Sequence, residues 1–251
     1  MNVVVNGLMT NYQKVGSGRV ILCLPGWADT TTSFSKLAEK LQGKYQLLIL
    51  DLPGFGGTQP PPNAWGLEDY AGFVSDWLKK IDSRNIYATI GHSYGGAAAI
   101  MALSSNDYKS DRLVLLASAG VRNKKTVRKG ALRVASKVAK IPLKLLPKRT
   151  RQKLRQKAYN NLGSDMLLLP HMELTYKRII GEDVQARAKL LKLPTLLIYG
   201  TKDKDTPLED GQILNNNISD SKLEVVDAGH FLHQERADEV AELVEGFLNN
   251  G

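Results

Sequence analysis

The chain has 251 residues, of which 43% are hydrophobic, so it can bury one large core, and we expect a single domain with an insertion. Its net charge is +9, and it holds only one cysteine, Cys23, which excludes an intrachain disulfide and favours a reducing compartment. No apolar stretch reaches about 18 residues, and the N-terminus lacks the pattern of a signal peptide, so we predict a cytoplasmic protein without a transmembrane helix.

In chain order, a leading hairpin is followed by segments that alternate between strand and helix character. Such alternation predicts an α/β fold with a mostly parallel sheet that is covered by helices on both faces. Catalytic loops would then lie at the carboxyl ends of the strands. The predicted hairpin spans 2–6 and 10–16; the further strands lie near 19–24, 46–51, 86–91, 112–118, 194–200 and 222–227, and the helices near 33–42, 67–81, 94–104, 207–216 and 236–249.

A glycine-rich hexapeptide, Gly91-His92-Ser93-Tyr94-Gly95-Gly96, separates a predicted strand from an alanine-rich predicted helix. It contains the G-x-S-x-G pattern of a nucleophile elbow, a sharp turn that exposes the serine hydroxyl above the end of a sheet. The glycines leave room for a close approach of strand and helix. The alternative is a chance match in an ordinary βα turn. A base and a carboxylate elsewhere in the chain that could act on Ser93 would argue against it.

A serine hydroxyl is a weak nucleophile near neutral pH, so it needs a base and a carboxylate that orients this base. Among the four histidines, His230 follows a predicted strand on a loop, and we predict that it is the base. We expect His92 to point away from the serine hydroxyl. His233 is better explained by packing or helix capping, and His171 lies in the irregular middle region.

The carboxylate is expected between the serine and the base in the chain. A predicted strand runs into the turn 201–207, where Asp203 and Asp205 are both placed to accept a hydrogen bond from the histidine. Either residue would also suit the N-terminus of the next helix, since aspartate is a good helix cap. We predict Asp203 as the acid and keep Asp205 as the alternative.

These motifs give the chain a resemblance to the α/β-hydrolase family, which covers roughly residues 10–120 and 185–250. The order Ser, Asp, His is the order of that family. Its acid follows a turn glycine by three residues, and this spacing selects Asp203. The other matching segments are the oxyanion loop Leu24–Trp27, the glycine-rich turn Asp51–Thr58 and the histidine loop Ala228–Phe231.

The resemblance implies a serine hydrolase of the carboxylesterase type, which cleaves an ester or thioester through an acyl-enzyme and needs no metal or cofactor. The backbone N–H groups of Trp27 and Tyr94 would stabilise the oxyanion. Many relatives have His-Gly where this chain has Pro25-Gly26, but backbone donors do not depend on that side chain. The alternatives are hydrolysis of an amide, a lactone or a carbon–carbon bond next to a carbonyl, or a ligand-binding protein that does not catalyse.

Residues 121–183 lack strand character, so we predict a helical cap inserted into a core domain of residues 1–120 and 184–251. Segment 122–157 holds fifteen of the 34 Lys and Arg residues and no Asp or Glu, so the net positive charge of the chain resides there. Apolar residues recur at helical spacing from Val127 to Ile141 with basic residues opposite, a pattern that is typical of an amphipathic helix.

This basic segment has three interpretations. It is a solvated helix face above the core, or it attracts an acidic carrier protein, or it docks on an anionic membrane. The carrier interpretation has an analogue in the α/β-hydrolase that cleaves a carrier-protein methyl ester in biotin synthesis. We expect no nucleic acid partner, because the segment lacks interleaved aromatic residues. The substrate would be a small acyl compound, and the candidate residues for its pocket are Trp27, Phe34, Met172 and Tyr176.

Overall fold

The computed structural model describes residues 1–83, 85–122 and 169–249. Eight strands within these ranges form one sheet: β1 (Asn2–Val5), β2 (Leu8–Gly16), β3 (Arg19–Leu24), β4 (Tyr45–Leu50), β5 (Ile86–His92), β6 (Ser110–Leu116), β7 (Thr195–Gly200) and β8 (Ser221–Val226). Their order in the sheet is β1-β2-β4-β3-β5-β6-β7-β8. Strands β1 and β2 are antiparallel to their neighbours, and β3 to β8 are parallel. The predicted mostly parallel α/β sheet is confirmed.

The leading hairpin turns on two residues, Asn6 and Gly7, which join β1 to β2. Their φ angles are 50° and 81°, and a tight hairpin turn of type I′ requires positive φ at both central positions. Asparagine and glycine tolerate this conformation better than other residues do. The dipeptide therefore fixes the register in which Val5 lies opposite Leu8.

The central strands are buried on both faces, which explains their nearly continuous apolar sequences. All seven residues of β5 and all six of β7 are buried. Side chains alternate across a strand, so Leu22 and Leu24 enter the core on one face while Ile21 and Cys23 enter the core on the other. Burial raises the pKa of the Cys23 thiol, as expected for a cysteine that packs in the core.

The described helices are distributed over both faces of the sheet. They are α1 (Ser35–Leu41), α2 (Leu67–Lys80), α3 (Tyr94–Ser104), α4 (Glu173–Ile179), α5 (Gln185–Ala188), α6 (Leu208–Asn217), α7 (Leu232–Glu235) and α8 (Ala237–Asn249). One core contains side chains from α2, α3, α4, α5 and α6, and the other contains side chains from α1, α7 and α8. Helix α3 follows Ser93 directly, and ten of its eleven residues are buried.

The predicted elements differ from the structure chiefly near His233. The sequence predicts one last helix near 236–249, which His233 would pack against or cap, but His233 lies in the separate short helix α7. Arg236 ends α7 with φ −130° and ψ 48°, which are not helical values. In this short helix the His233 side chain points into the core, and its exposure is 0%.

Part of the predicted cap falls within the described residues. The stretch 169–183 contains a 3-10 helix, Pro170–Met172, and helix α4. The amphipathic stretch 127–141 lies outside the described ranges, so the cap and its boundaries remain predictions. Among the described helices, none has the length and the apolar character needed to cross a membrane.

Candidate active site

Ser93 occupies the turn between β5 and α3 and has φ 50° and ψ −116°. A positive φ is strained for a residue with a side chain, and such strain persists where the surrounding structure holds it. Here the Ser93 N–H donates to the Leu116 carbonyl at 3.0 Å, and the Ala119 N–H donates to the Ser93 carbonyl at 2.9 Å. Strand β6 and the loop after it therefore support the elbow, with the Ser93 side chain left partly exposed.

The elbow glycines allow backbones to approach where a side chain would not fit. A Cβ atom on Gly91 would overlap the backbone of Gly96, and one on Gly95 would overlap the carbonyl oxygens of Leu24 and Pro25. Strand, helix and oxyanion loop thus meet without intervening side chains. This explains the glycines of the hexapeptide in physical terms.

His230 links the serine to a carboxylate. Its Nε2 lies 3.0 Å from the Ser93 hydroxyl oxygen, and its Nδ1 lies 2.8 Å from Oδ2 of Asp203. The three residues come from the loops after β5, β7 and β8, which meet at one edge of the sheet because the strands are parallel. The structure thus brings together all three residues that the sequence analysis proposed for the triad.

Asp203 is the carboxylate that faces the histidine, and its side chain is fully buried. Its Oδ1 accepts hydrogen bonds from the backbone N–H groups of Asp205 at 2.8 Å and Thr206 at 3.0 Å. Burial raises the pKa of Asp203, but the hydrogen bonds from His230 and Thr206 outweigh it and hold that pKa below its usual value. Asp205 is exposed and supplies only a backbone donor, so the geometry favours Asp203 as the acid.

Thr206 is a neighbour of the triad that the sequence analysis missed. Its hydroxyl oxygen lies 2.8 Å from Asp203 Oδ2, 3.1 Å from His230 Nδ1 and 3.0 Å from the Ala117 carbonyl oxygen. The residue is buried, so its hydroxyl helps to fix the position of the carboxylate. In the sequence, the only signal for this role was a threonine three residues after the acid.

The two backbone groups expected to form the oxyanion hole belong to Trp27 and Tyr94. Tyr94 is the first residue of α3, where a backbone N–H has no acceptor within the helix. Among the described residues, neither N–H donates to a protein acceptor. Gly26 lies beside the elbow, since an added Cβ would come within 3.3 Å of the Ser93 Cβ. The segment Leu24–Trp27 thus adjoins Ser93 despite Pro25.

His92 points away from the Ser93 hydroxyl, as expected, and it contacts the histidine loop instead. Its Nε2 donates to the His230 carbonyl at 3.0 Å, and its ring lies 4.4 Å from the ring of His233. Burial, followed by the neighbouring histidines, holds the pKa of His92 well below its usual value. A neutral imidazole therefore anchors the loop that carries His230.

Within residues 1–83, 85–122 and 169–249, two groups of side chains have donor atoms close enough to be considered for a metal. One is Asp203, Asp205 and His230, and the other is Asp29, His92 and His233. In the first group His230 Nδ1 is bonded to Asp203, and in the second His92 Nε2 is bonded to the His230 carbonyl. That the reaction proceeds without a metal stays a prediction.

The buried His233 predicts a pH dependence of stability. Burial, with a smaller contribution from His230, lowers its pKa from 6.5 to about 3. Between these values the unfolded chain binds more protons than the folded chain, so the contribution is complete above pH 6.5 and is lost as the pH falls toward 3. We expect the free energy of unfolding to decrease by about 2 kcal/mol from this residue between pH 7 and pH 5.

Urea denaturation at both pH values checks this expectation in the unaltered protein and in His233→Gln. The glutamine variant is expected to start from a lower stability but to lose less of it between pH 7 and pH 5. Equal losses in the two proteins would show that His233 is not the group responsible.

A cavity of about 340 Å³ opens beside Ser93 and His230. Trp27 and Tyr176 line it, as predicted, and their rings lie 5.2 Å apart. Phe34 and Met172 do not line it, and their predicted role in substrate binding is corrected. Phe34 is fully buried on the other face of the sheet beside His233. The Met172 side chain is buried over Gly54, where an added Cβ would meet its Cε and Sδ.

The chain belongs to the α/β-hydrolase fold family, whose family model matches residues 19–237. It is similar to the serine hydrolase BPHL of Mus musculus, with 28% identity over 258 residues, which cover 98% of this chain and 85% of that protein. Among solved structures, the esterase EaEST from Exiguobacterium antarcticum superimposes with a TM-score of 0.77 and 19% identity, with 99% of each chain covered. The enol-lactonase from Burkholderia xenovorans LB400 has a TM-score of 0.77 and 18% identity, with 100% of each chain covered. The protein is a hydrolase of this family.

Proposed function

We propose that the protein cleaves a carboxylic ester or thioester through an acyl-enzyme on Ser93. The observation that carries this proposal is the continuous hydrogen-bonded array from the Ser93 hydroxyl through His230 to the buried Asp203, at the wall of a cavity. A serine is activated in this way when a base accepts its proton and a carboxylate holds that base in the correct tautomer.

In the acylation step, Ser93 Oγ attacks the substrate carbonyl while His230 Nε2 takes the hydroxyl proton. Asp203 stabilises the resulting imidazolium through Nδ1, and the N–H groups of Trp27 and Tyr94 donate to the oxyanion. The bond to the leaving alcohol or thiol then breaks, and His230 gives its proton to that group. Water repeats the sequence on the acyl-enzyme, which releases the acid and restores the serine.

The relatives support an acyl-transfer reaction without choosing the bond. They include a serine hydrolase, an esterase and an enol-lactonase, and a Ser-His-Asp array serves each of these reaction types. An ester or thioester is the substrate that such an array cleaves with least assistance, because its leaving group is better than an amine. Amides, lactones and carbon–carbon bonds are the alternative substrates in the test.

Hydrolysis of p-nitrophenyl esters from acetate to decanoate tests the proposal. We expect turnover with an optimum of chain length that reflects the size of the cavity. Lack of turnover on every ester and on acyl thioesters would contradict the proposal, and labelling of Ser93 by a phosphonate would then direct attention to the other bonds.

We propose further that the basic segment 122–157 attracts an anionic partner, and of the two candidates the amphipathic pattern favours a membrane over an acidic carrier protein. Each lysine or arginine near an anionic surface stabilises binding to that surface by about 1 kcal/mol, so the loss of four should weaken binding strongly. We expect binding to phosphatidylglycerol vesicles at low salt, and at least about tenfold weaker binding when Lys124, Lys125, Arg128 and Lys129 are all replaced by glutamine.

Co-sedimentation with vesicles measures this binding, and phosphatidylcholine vesicles are the control. Equal affinity for both lipids would rule out the electrostatic attraction. Binding to an acidic acyl carrier protein in solution but not to vesicles would assign the segment to the carrier instead.

A further inference from the structure

Arg122 is a wall residue of the catalytic cavity that the sequence analysis counted only as part of the basic segment. It follows β6 by six residues and is half-buried, and the cavity that it lines also exposes Ser93 and His230. Nearby walls are formed by Tyr176 and Ile179. A permanently charged group therefore borders the space in which the substrate must lie.

Among the described residues, this guanidinium has few hydrogen-bond partners. There its Nε is buried without an acceptor, and Nη2 makes a long hydrogen bond of 3.4 Å to the Ile179 carbonyl. In the described part of the chain, no carboxylate oxygen lies within 4.0 Å of it. A guanidinium has five donors in a planar fork, which suits a carboxylate.

Several carboxylates lie near Arg122, but among the described residues none forms an ion pair with it. Asp183, Asp210 and Glu182 act on it at longer range, and burial still lowers the pKa of Arg122 below its usual value. Burial also raises the pKa of Asp210 to about 6, so that its carboxylate compensates only weakly in mildly acidic solution. Lys204 and Asp205, which also line the cavity, are exposed and of opposite charge.

We infer that Arg122 forms an anion-binding subsite of the cavity, so that preferred substrates are esters with a carboxylate distal to the scissile bond. This inference rests on the proposed function for the bond that is cleaved. A distal carboxylate would receive the two parallel hydrogen bonds that the guanidinium leaves unmade, which orients the ester toward Ser93. The alternative is that Arg122 only balances the charge of Asp210.

Matched pairs of esters separate these roles, because each pair differs only in a terminal carboxylate. Monomethyl adipate is compared with methyl hexanoate for an anion on the acyl side, and 6-acetoxyhexanoate with hexyl acetate for an anion on the alcohol side. We expect the unaltered protein to prefer the anionic member of at least one pair in kcat/KM. Arg122→Gln is expected to lower that kcat/KM by about 10- to 100-fold and to leave the neutral member within about twofold.

Two further variants control the comparison. Arg122→Lys keeps the charge but loses the fork, so we expect an intermediate loss. Arg187→Gln removes an arginine that pairs with Glu68 at 2.9 Å and does not line the cavity, so it should change neither substrate. Equal losses on anionic and neutral esters in Arg122→Gln would reduce Arg122 to a structural counter-charge and would overturn the inference.

Calorimetric binding to Ser93→Ala distinguishes failure of the subsite from failure of the proposed reaction. We expect this variant to bind one of the two anionic esters more tightly than its neutral counterpart, and Arg122→Gln in the same background to abolish the difference. If the unaltered protein cleaves no ester but this Arg122-dependent binding persists, the subsite stands and the proposed bond is wrong. If neutral esters are cleaved and neither anionic ester is preferred in binding or turnover, the subsite is wrong and the ester hydrolase stands.

Discussion

Replacement of Ser93 by alanine is expected to abolish ester turnover, with a loss in kcat of at least about 10⁴-fold. The substitution removes only the hydroxyl oxygen, which lies 3.0 Å from His230 Nε2. Without it, no acyl-enzyme forms, and only the oxyanion donors and substrate binding assist attack by water. Alanine keeps the Cβ atom and therefore the same backbone strain at φ 50°, so the fold should persist. The measurement is hydrolysis of p-nitrophenyl butyrate, with the thermal transition followed in parallel.

Ser105→Ala is the matched control, since Ser105 follows the other end of α3 and is exposed. It should retain full activity and should still be labelled at Ser93 by a fluorophosphonate. A Ser93→Ala variant that keeps more than a few per cent of the rate would contradict the assignment of the nucleophile. Loss of both activity and the cooperative thermal transition would instead show a folding defect.

The strain at Ser93 is part of a wider pattern around the site. Ala28, Ser93 and Ala117 all have positive φ, at 57°, 50° and 46°, and they follow the neighbouring strands β3, β5 and β6. Three non-glycine residues in this conformation lie where the oxyanion loop, the nucleophile and the acid turn converge. Each costs of the order of 1–3 kcal/mol, so the packed strands beneath must supply that free energy. We infer that this edge of the sheet is shaped for chemistry at the expense of stability.

The mostly parallel sheet and the positions of the triad were largely predictable from the sequence, for a geometric reason. Parallel strands bring their following loops to one edge, so Ser93 and His230 could be paired without knowledge of their distance. Local spacing alone did not decide between Asp203 and Asp205; the resemblance to the family did. The structure distinguishes the two residues by burial, because only Asp203 is buried and in contact with the histidine.

The pocket residues were less predictable, because an apolar residue near a strand end can enter either core. Phe34 precedes α1 and faces the core opposite to the cavity, a choice that depends on how the loop after Trp27 turns. Met172 fills the space above Gly54, a contact between residues far apart in the chain. Arg122 was hidden by its charged neighbours, since a basic run gives no sign that its first member turns inward.

Substitution of Asp203 by asparagine should lower kcat by about 10⁴-fold, whereas Asp205→Asn should change it by less than about threefold. Asparagine preserves the shape but removes the charge that stabilises the imidazolium, and its amide can hold His230 in the tautomer that cannot accept the serine proton. The Oδ1 contacts from the backbone of Asp205 and Thr206 would remain, so the acid turn should keep its structure. Initial rates on p-nitrophenyl butyrate for both variants provide the measurement.

The comparison of the two asparagine variants also tests whether the total charge of the acid turn or the position of one carboxylate determines the rate. Both variants lose one negative charge within the same three residues, so a general electrostatic effect would lower the two rates alike. Only the loss of a carboxylate in contact with His230 Nδ1 predicts a large difference between them. A large loss in Asp205→Asn with a small one in Asp203→Asn would move the acid to Asp205, and it would mean that the turn rearranges when substrate binds.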